Sequence, residues 1–162
     1  MPEITIVDTS SLFYFHRVGL FELFKKLYGH IIVPQAVKNE LMEGQTQGED
    51  VPQLEKYPWV EIRSVSMPRY LQLIADLGPG ESEVLALATN HPSALVVLGD
   101  KLARRIAGMR GLRLTGTAGI LLKAKKSGLI PELKPVINKL LDLDFRLKPE
   151  LVKEILTLAD EE

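Results

Sequence analysis

Ile4-Thr5-Ile6-Val7-Asp8-Thr9-Ser10-Ser11 is the stretch that decides how this chain is read. Four β-favouring residues, three of them apolar, run into an aspartate and then three hydroxyl residues. A short apolar run bounded by turn residues reads as a buried strand. Asp8 marks its end, and Thr9, Ser10 or Ser11 can cap the helix that follows. In an open parallel sheet, ligands bind in the crevice outside the carboxyl ends of the strands, so an acid at that position is well placed for chemistry. The plainer reading is that Asp8 only caps the helix, which is among the commonest roles of aspartate. Three further acids at similar places shift the balance.

Outward from this stretch, strands and helices alternate. A helix is expected over residues 11–28, where Leu12, Phe15, Leu20, Leu23, Phe24 and Leu27 recur at three- and four-residue spacings and Gly29 stops the pattern. His30-Ile31-Ile32-Val33 reads as a second strand. Pro34 then opens a helix that carries Val37, Glu40 and Leu41 and ends near Gly44. Residues 44–58, with Gly44, Gly48, Pro52 and Pro58, read as an exposed, mobile loop with at most a short helical turn. Trp59-Val60-Glu61-Ile62 is an edge strand, and Pro68 starts a helix through Ala75. Gly78-Pro79-Gly80-Glu81-Ser82-Glu83 is a turn leading into the apolar helix Val84–Ala88, with Glu81 and Glu83 at its start, where acids suit the helix dipole.

Ala94-Leu95-Val96-Val97-Leu98 is the strongest strand: continuous, apolar and therefore buried on both faces. It ends at Gly99-Asp100, which repeats the logic of Asp8. A helix from Lys101 to Met109, a strand Leu112–Leu114, the junction Thr115-Gly116-Thr117 and a helix over 118–126 follow. Two amphipathic helices, Pro131–Leu141 and Pro149–Leu158, lead to Asp160-Glu161-Glu162, read as a frayed tail. Such alternation predicts an α/β fold, a three-layer α/β/α sandwich around a central, mostly parallel sheet of about four or five strands.

The 162 residues suit one domain with a real core, domains commonly holding about 100–200 residues. Residues 1–130 are expected to form that core, with the helices of 131–162 packed on it or extending it. Apolar residues make up 46% and charged residues 25%, an ordinary globular balance that argues against wholesale disorder. A net charge of −1 gives no global attraction to nucleic acid, so any such binding needs a local patch. There is no cysteine, which excludes disulfides, thiolate metal sites and a cysteine nucleophile. No apolar run approaches the ~18 residues of a membrane span, and no signal-peptide pattern is visible. The expected location is the cytoplasm.

Asp8, Asp100 and the Thr115/Thr117 pair fall at strand-to-helix junctions, and Glu40 and Glu81 lie in helices able to overhang the same edge. Four carboxylates with no histidine, cysteine or lysine beside them make a hard-oxygen site, suited to Mg²⁺ or Mn²⁺ and not to zinc. Crowded carboxylates repel one another, and a divalent ion relieves that repulsion. One or two such ions can activate water and stabilise both oxygens of an in-line phosphoryl displacement.

Taken together, these pieces resemble the PIN-domain ribonucleases, in particular a compact prokaryotic branch. The resemblance is carried by Ile6-Val7-Asp8-Thr9-Ser10, by Val33-Pro34 with Val37 and Glu40-Leu41, and by Gly78-Pro79-Gly80-Glu81-Ser82-Glu83. It continues through Val97-Leu98-Gly99-Asp100 with Ala103-Arg104 and Ala107, and Gly111-Leu112 with Thr115-Gly116-Thr117-Ala118-Gly119-Ile120-Leu121-Leu122 and Ala124. It covers about residues 4–130. It implies a metal-dependent ribonuclease directed at single-stranded RNA. Many relatives are the toxins of toxin–antitoxin pairs and many form dimers, so it also implies an antitoxin protein and a second copy of the chain as partners. Position by position, Asp8, Glu40, Glu81 and Asp100 match the family's acidic metal site. Thr9 or Ser10 and Thr117 fall where the family has polar residues near that site, and Glu83 is a supporting candidate. The branch often has two consecutive acids after the central strand; here the first is Gly99.

Plainer readings stand beside these. Glu40 alone reads as a solvated helix residue, and Glu81 and Glu83 as dipole acids. Gly78-Pro79-Gly80 lacks the lysine and hydroxyl of a phosphate loop. Between residues 101 and 126 there are eight lysines and arginines and no acid. Such a run is usually a solvated face, but here it borders the expected site, where Lys101, Arg104 and Arg105 can contact RNA phosphates, Arg104 above all. The aromatics form no obvious base-stacking platform. Two rivals to the ribonuclease are kept: a catalytically weak or inactive PIN-fold module that binds RNA or regulates, motivated by Gly99, and a phosphatase-like enzyme, disfavoured because position 10 is serine and not a second acid.

Overall fold

The computed structural model describes residues 4–161. Five strands form one sheet: β1 (Thr5–Val7), β2 (Ile31–Pro34), β3 (Val60–Arg63), β4 (Leu95–Val97) and β5 (Arg113–Thr115). Their spatial order is β3-β2-β1-β4-β5 and every pairing is parallel. Val7 lies opposite Val97, and Val97 opposite Thr115, so the ends of β1, β4 and β5 are level. All residues of β1 and β2 are buried. Successive side chains of a strand face opposite ways, so both faces of the sheet are covered and the architecture is a three-layer α/β/α sandwich.

Nine α-helices are present among the described residues: α1 (Thr9–Arg17), α2 (Leu23–Tyr28), α3 (Gln35–Thr46), α4 (Arg69–Gln72), α5 (Pro79–Asn90), α6 (Lys101–Met109), α7 (Thr117–Lys126), α8 (Lys134–Asp142) and α9 (Pro149–Leu158). No helix among the described residues is long and apolar enough to cross a membrane.

The strand order places the functional edge. From β1 the chain steps outward to β2 and β3, then returns past β1 to β4 and steps the other way to β5. The reversal leaves a crevice between the carboxyl ends of β1 and β4, the position where open α/β sheets bind ligands. Asp8 follows β1 there, and Gly99-Asp100 follows β4.

Several expected elements differ in detail. The single helix over residues 11–28 is two helices. Gly19, at φ +77°, ends α1 through bonds from Gly19 N to His16 O and Leu20 N to Phe15 O, the paired closure of a Schellman motif. The helix from Pro68 stops at Gln72. The turn at residues 78–83 is already helix: Gly78 is the N-cap of α5 and Pro79 its first residue. Residues 44–58 are not a simple exposed loop. Val51 and Leu54 are buried in the core, and Tyr57 and Trp59 pack their rings on Phe21 at 4.7 and 5.3 Å. The tail is also anchored at Glu161, whose carboxylate accepts Leu133 N at 2.7 Å and Lys134 N at 3.0 Å and pairs with Lys125 at 3.2 Å. Those two amides open α8 and would otherwise lack partners. Glu162 lies outside the described residues.

Candidate active site

Asp8 is both the cap of α1 and the floor of the crevice. Its backbone N–H donates to Val97 O at 3.1 Å, tying the end of β1 to β4. Oδ1 accepts Ser11 N at 3.0 Å, and Oδ2 accepts Gly99 N at 2.8 Å and Ser10 Oγ at 3.2 Å. The helix cap is thus Asp8 itself and none of the three hydroxyl residues. The side chain is 3% exposed. Burial pushes its pKa up, against the pull of the Gly99 and Ser11 amides and the neighbouring hydroxyls. Ser11 Oγ, close to this carboxylate, is the one buried side-chain polar atom among the described residues without a hydrogen-bond partner.

Glu40 sits on α3 and reaches toward α5. Its Oε2 accepts Gly80 N at 3.0 Å and its Oε1 accepts the Thr9 hydroxyl. A Cβ on Gly80 would lie 2.3 Å from Glu40 Oε1, so a larger residue there would push the carboxylate from this position. The same two helices are joined a second time by Glu83, whose Oε1 accepts Ala36 N at 2.9 Å in the first turn of α3. Glu83 therefore holds the helix that carries Glu40 and does not itself line the crevice. Glu81, half-buried on α5, has its pKa pushed up first by burial, against a pull from its own backbone amide, and then by the charges of Glu40, Asp100 and Asp8. Asp100 is exposed and caps α6 through Ala103 N at 2.9 Å.

All four acids line one cleft of about 900 Å³. Thr9, Ser10 and Thr117 line it too, the last buried at the start of α7. Arg104 reaches the cleft with one guanidinium nitrogen donating to Leu98 O at 2.8 Å. Lys101 and Arg105 are exposed and do not line it. Other cations of the basic run are engaged elsewhere: Arg110 lies over Tyr70, Lys123 over Tyr28, and Lys125 bonds Pro131 O and Glu161.

The carboxylates converge on the cleft without forming a ready coordination sphere. Among the described residues no three His, Asp or Glu side chains are gathered closely enough to hold a metal ion as they stand. Three of the acids are drawn to their own donors: Asp8 to Ser11 and Gly99, Glu40 to Thr9 and Gly80, Asp100 to Ala103. The donor chemistry nevertheless fits a hard dication. The lining offers carboxylate and hydroxyl oxygens and no histidine or lysine. The like charges felt at Glu81 are those a dication would offset.

The cleft also has a wall that the sequence reading missed. Asp144, Phe145, Arg146 and Leu147, between α8 and α9, line it, as does Glu49 beyond α3. No spacing in the sequence ties these residues to Asp8. Their place follows from how the last two helices pack, with Leu133, Ile137 and Leu140 near α8 and Ile155 on α9 buried in the core.

An all-parallel sheet whose switch-point crevice is lined with acids defines an α/β protein with an acidic ligand site. The family model DUF3368, described as a PIN domain, matches residues 4–161, so the chain belongs to the PIN-domain family. PIN domains are generally nucleases and typically use divalent metals. No curated protein matches the chain. The family match includes α8 and α9, beyond the stretch that carries the resemblance in the sequence.

Proposed function

We propose that this protein is a metal-dependent endoribonuclease that hydrolyses phosphodiester bonds of single-stranded RNA. Asp8, Glu40, Glu81 and Asp100 would hold Mg²⁺ or Mn²⁺. The observation that carries the reading is the meeting of these four acids, from four separate parts of the chain, in one cleft at the sheet's switch point. A bound dication supplies charge to activate water and to stabilise the oxygens of the transferring phosphoryl group. The chain's own contributions are distinct. Asp8, fixed by three hydrogen bonds, anchors the floor. Thr9 and the Gly80 amide orient Glu40. Glu81, whose pKa is raised by burial and by the charges of Glu40, Asp100 and Asp8, is the acid whose charge a bound dication would offset most directly. Arg104 would meet a phosphate oxygen with the guanidinium nitrogens not bound to Leu98.

The test is cleavage of a single-stranded RNA with Mn²⁺ by the wild type and by Asp8→Asn. Cleavage by the wild type alone supports the reading, and equal cleavage by both removes Asp8 from the mechanism. A toxin role, with an antitoxin protein and a homodimer as partners, belongs to the same proposal. A small antitoxin gene adjoining this one would support it.

A second reading, an inactive module that binds RNA or regulates, is favoured by the absence of a gathered ligand set among the described residues and by Gly99. A Cβ at residue 99 would stand 2.6 Å from Ser10 Oγ, so this chain has packed a hydroxyl where an extra acid would begin. Calorimetry with Mn²⁺ separates the two: no binding near millimolar concentration favours the module.

A further inference from the structure

The C-terminal wall of the cleft carries chemistry that the acids do not explain. Phe145 meets Tyr14 edge to face, with ring centroids 4.9 Å apart at 84°. Tyr14 in turn meets Phe13 at 5.2 Å and 83°. All three rings are half-buried and line the cleft that holds the four carboxylates. The guanidinium of Arg17 lies 5.4 Å from the Phe13 ring centre.

The wall is built and not merely draped. Asp144 adopts φ +64°, a left-handed conformation uncommon for a residue with a side chain. Asp144 N donates to Leu141 O at 3.1 Å and Phe145 N to Leu140 O at 3.0 Å. That pair of bonds is a Schellman closure of α8. It fixes Phe145 as the next residue and presents Arg146 beside it. Arg146 is exposed, lines the cleft and has no carboxylate at ion-pair distance among the described residues. Tyr14 stands six residues beyond Asp8, a rise of about 9 Å along α1 at 1.5 Å per residue, and lines the same cleft.

We propose that Tyr14, Phe145 and Arg146 form a nucleotide subsite of this cleft, a base stacking on the aromatic pair and the adjoining phosphate held by Arg146. The inference rests on the ribonuclease reading. Stacking is sequence-tolerant because every base has a π-face. The guanidinium adds a cation to a cleft rich in acids, where a polyanion otherwise finds little to hold it.

The experiment measures binding and turnover separately. Binding of a fluorescently labelled single-stranded oligoribonucleotide is followed by anisotropy with Mn²⁺ in an Asp8→Asn background, which blocks cleavage, and kinetics are measured in the native background. Phe145→Leu keeps an apolar contact under the α8 closure and removes the π-face; Phe145→Trp keeps a π-face. Expected are an affinity about 10-fold weaker for Phe145→Leu, recovery by Phe145→Trp, a raised KM and a nearly unchanged kcat. Arg146→Ala should weaken binding and flatten its salt dependence. Replacing single nucleotides by abasic ones should produce the same loss at one position, and that loss should vanish in Phe145→Leu. Affinity and KM unchanged in Phe145→Leu and Arg146→Ala overturn the subsite and leave the ribonuclease reading intact. Phe145-dependent binding without cleavage by the wild type upholds the subsite and overturns the enzyme. No RNA binding by either background overturns both.

Discussion

Gly80→Ala separates the site from the fold. Gly80 is buried near the start of α5, and its N–H holds Glu40 Oε2 at 3.0 Å. An added Cβ would lie 2.3 Å from Glu40 Oε1, 3.0 Å from Cδ and 3.1 Å from Oε2, with no other atom among its three nearest neighbours. A carbon and an oxygen need about 3.3 Å, so the carboxylate must recede by about 1 Å. For the fold this is cheap, because the displaced atoms end a flexible side chain. The bond to Gly80 N is charge-assisted and worth about 1.5–3 kcal/mol at most, less at a half-exposed group, and Ala regains about 0.5–1 kcal/mol of helix preference. The net change should stay within about 1 kcal/mol, or roughly 2–4 °C in Tm for a chain of this size. For the site the same displacement is expensive. A misplacement of about 1 Å in a catalytic constellation can cost about 100-fold. Thermal unfolding followed by circular dichroism, together with RNA cleavage under Mn²⁺, gives both numbers. A variant that folds like the wild type and cleaves RNA within 3-fold of its rate would refute the role given to Glu40, as the roughly 100-fold loss expected of it would be missing.

Three further outcomes are expected. Burial raises the pKa of Asp8, and burial with neighbouring carboxylates raises that of Glu81, from ordinary values of 3.8 and 4.5. A raised folded-state pKa means that the native state binds the proton more tightly, so stability falls as pH climbs from those values through the raised ones. Mn²⁺ or Mg²⁺ should therefore raise Tm at pH 7 much more than at pH 4, and Asp8→Asn should abolish most of that metal response; an ion effect equal at both pH values contradicts this. Glu83→Ala leaves Ala36 N without its partner; it should lower Tm by about 2–6 °C and cut cleavage by loosening α3, with Glu83→Gln recovering most of both. Glu161→Ala frees two amides at the start of α8 and should lower Tm by about 2–8 °C. For Glu161 burial raises the pKa, but the Leu133 and Lys134 amides and Lys125 outweigh it and hold it low. That contribution is present above the ordinary glutamate range and disappears as pH falls through the lowered value, so the Tm gap between wild type and Glu161→Ala should close in acid.

The sheet was legible because its strands announce themselves. Ile6-Val7 and Val96-Val97 are apolar runs that end in acids, and both lie fully buried at the switch point. Glu40 and Glu81 were legible only through the family pattern, because a glutamate on a helix reads alike whether it faces a cleft or solvent. The break at Gly19 was missed because the apolar spacing runs through it, while a single left-handed glycine ends the helix whatever the flanking pattern. The anchored tail was missed because three acids at a chain end look solvated; nothing local reveals that Glu161 meets the amides of α8. The basic run was read as one surface and is several. Arg104 reaches the cleft, whereas Arg110 and Lys123 cover tyrosines, because helix and strand periods send neighbouring cations to different sides.

The aromatic wall follows from the same limit. Tyr14 and Phe145 are 131 positions apart, and their meeting depends on the last two helices closing back on the sheet. That closure gives the C-terminal segment a reason to belong to the functional unit. The cleft lining holds Asp8, Glu40, Glu49, Glu81, Asp100 and Asp144 against only Arg104 and Arg146. A surface of that balance repels a phosphodiester chain unless cations offset it. A dication among the four acids would remove part of the excess, and Arg146, delivered by the closure of α8, would remove more. If RNA lies between them, reversing the cation should cost more than removing it, so Arg146→Glu, which leaves the core of α8 and α9 untouched, should weaken RNA binding more than Arg146→Ala does, and equal binding by the two variants would refute this electrostatic role.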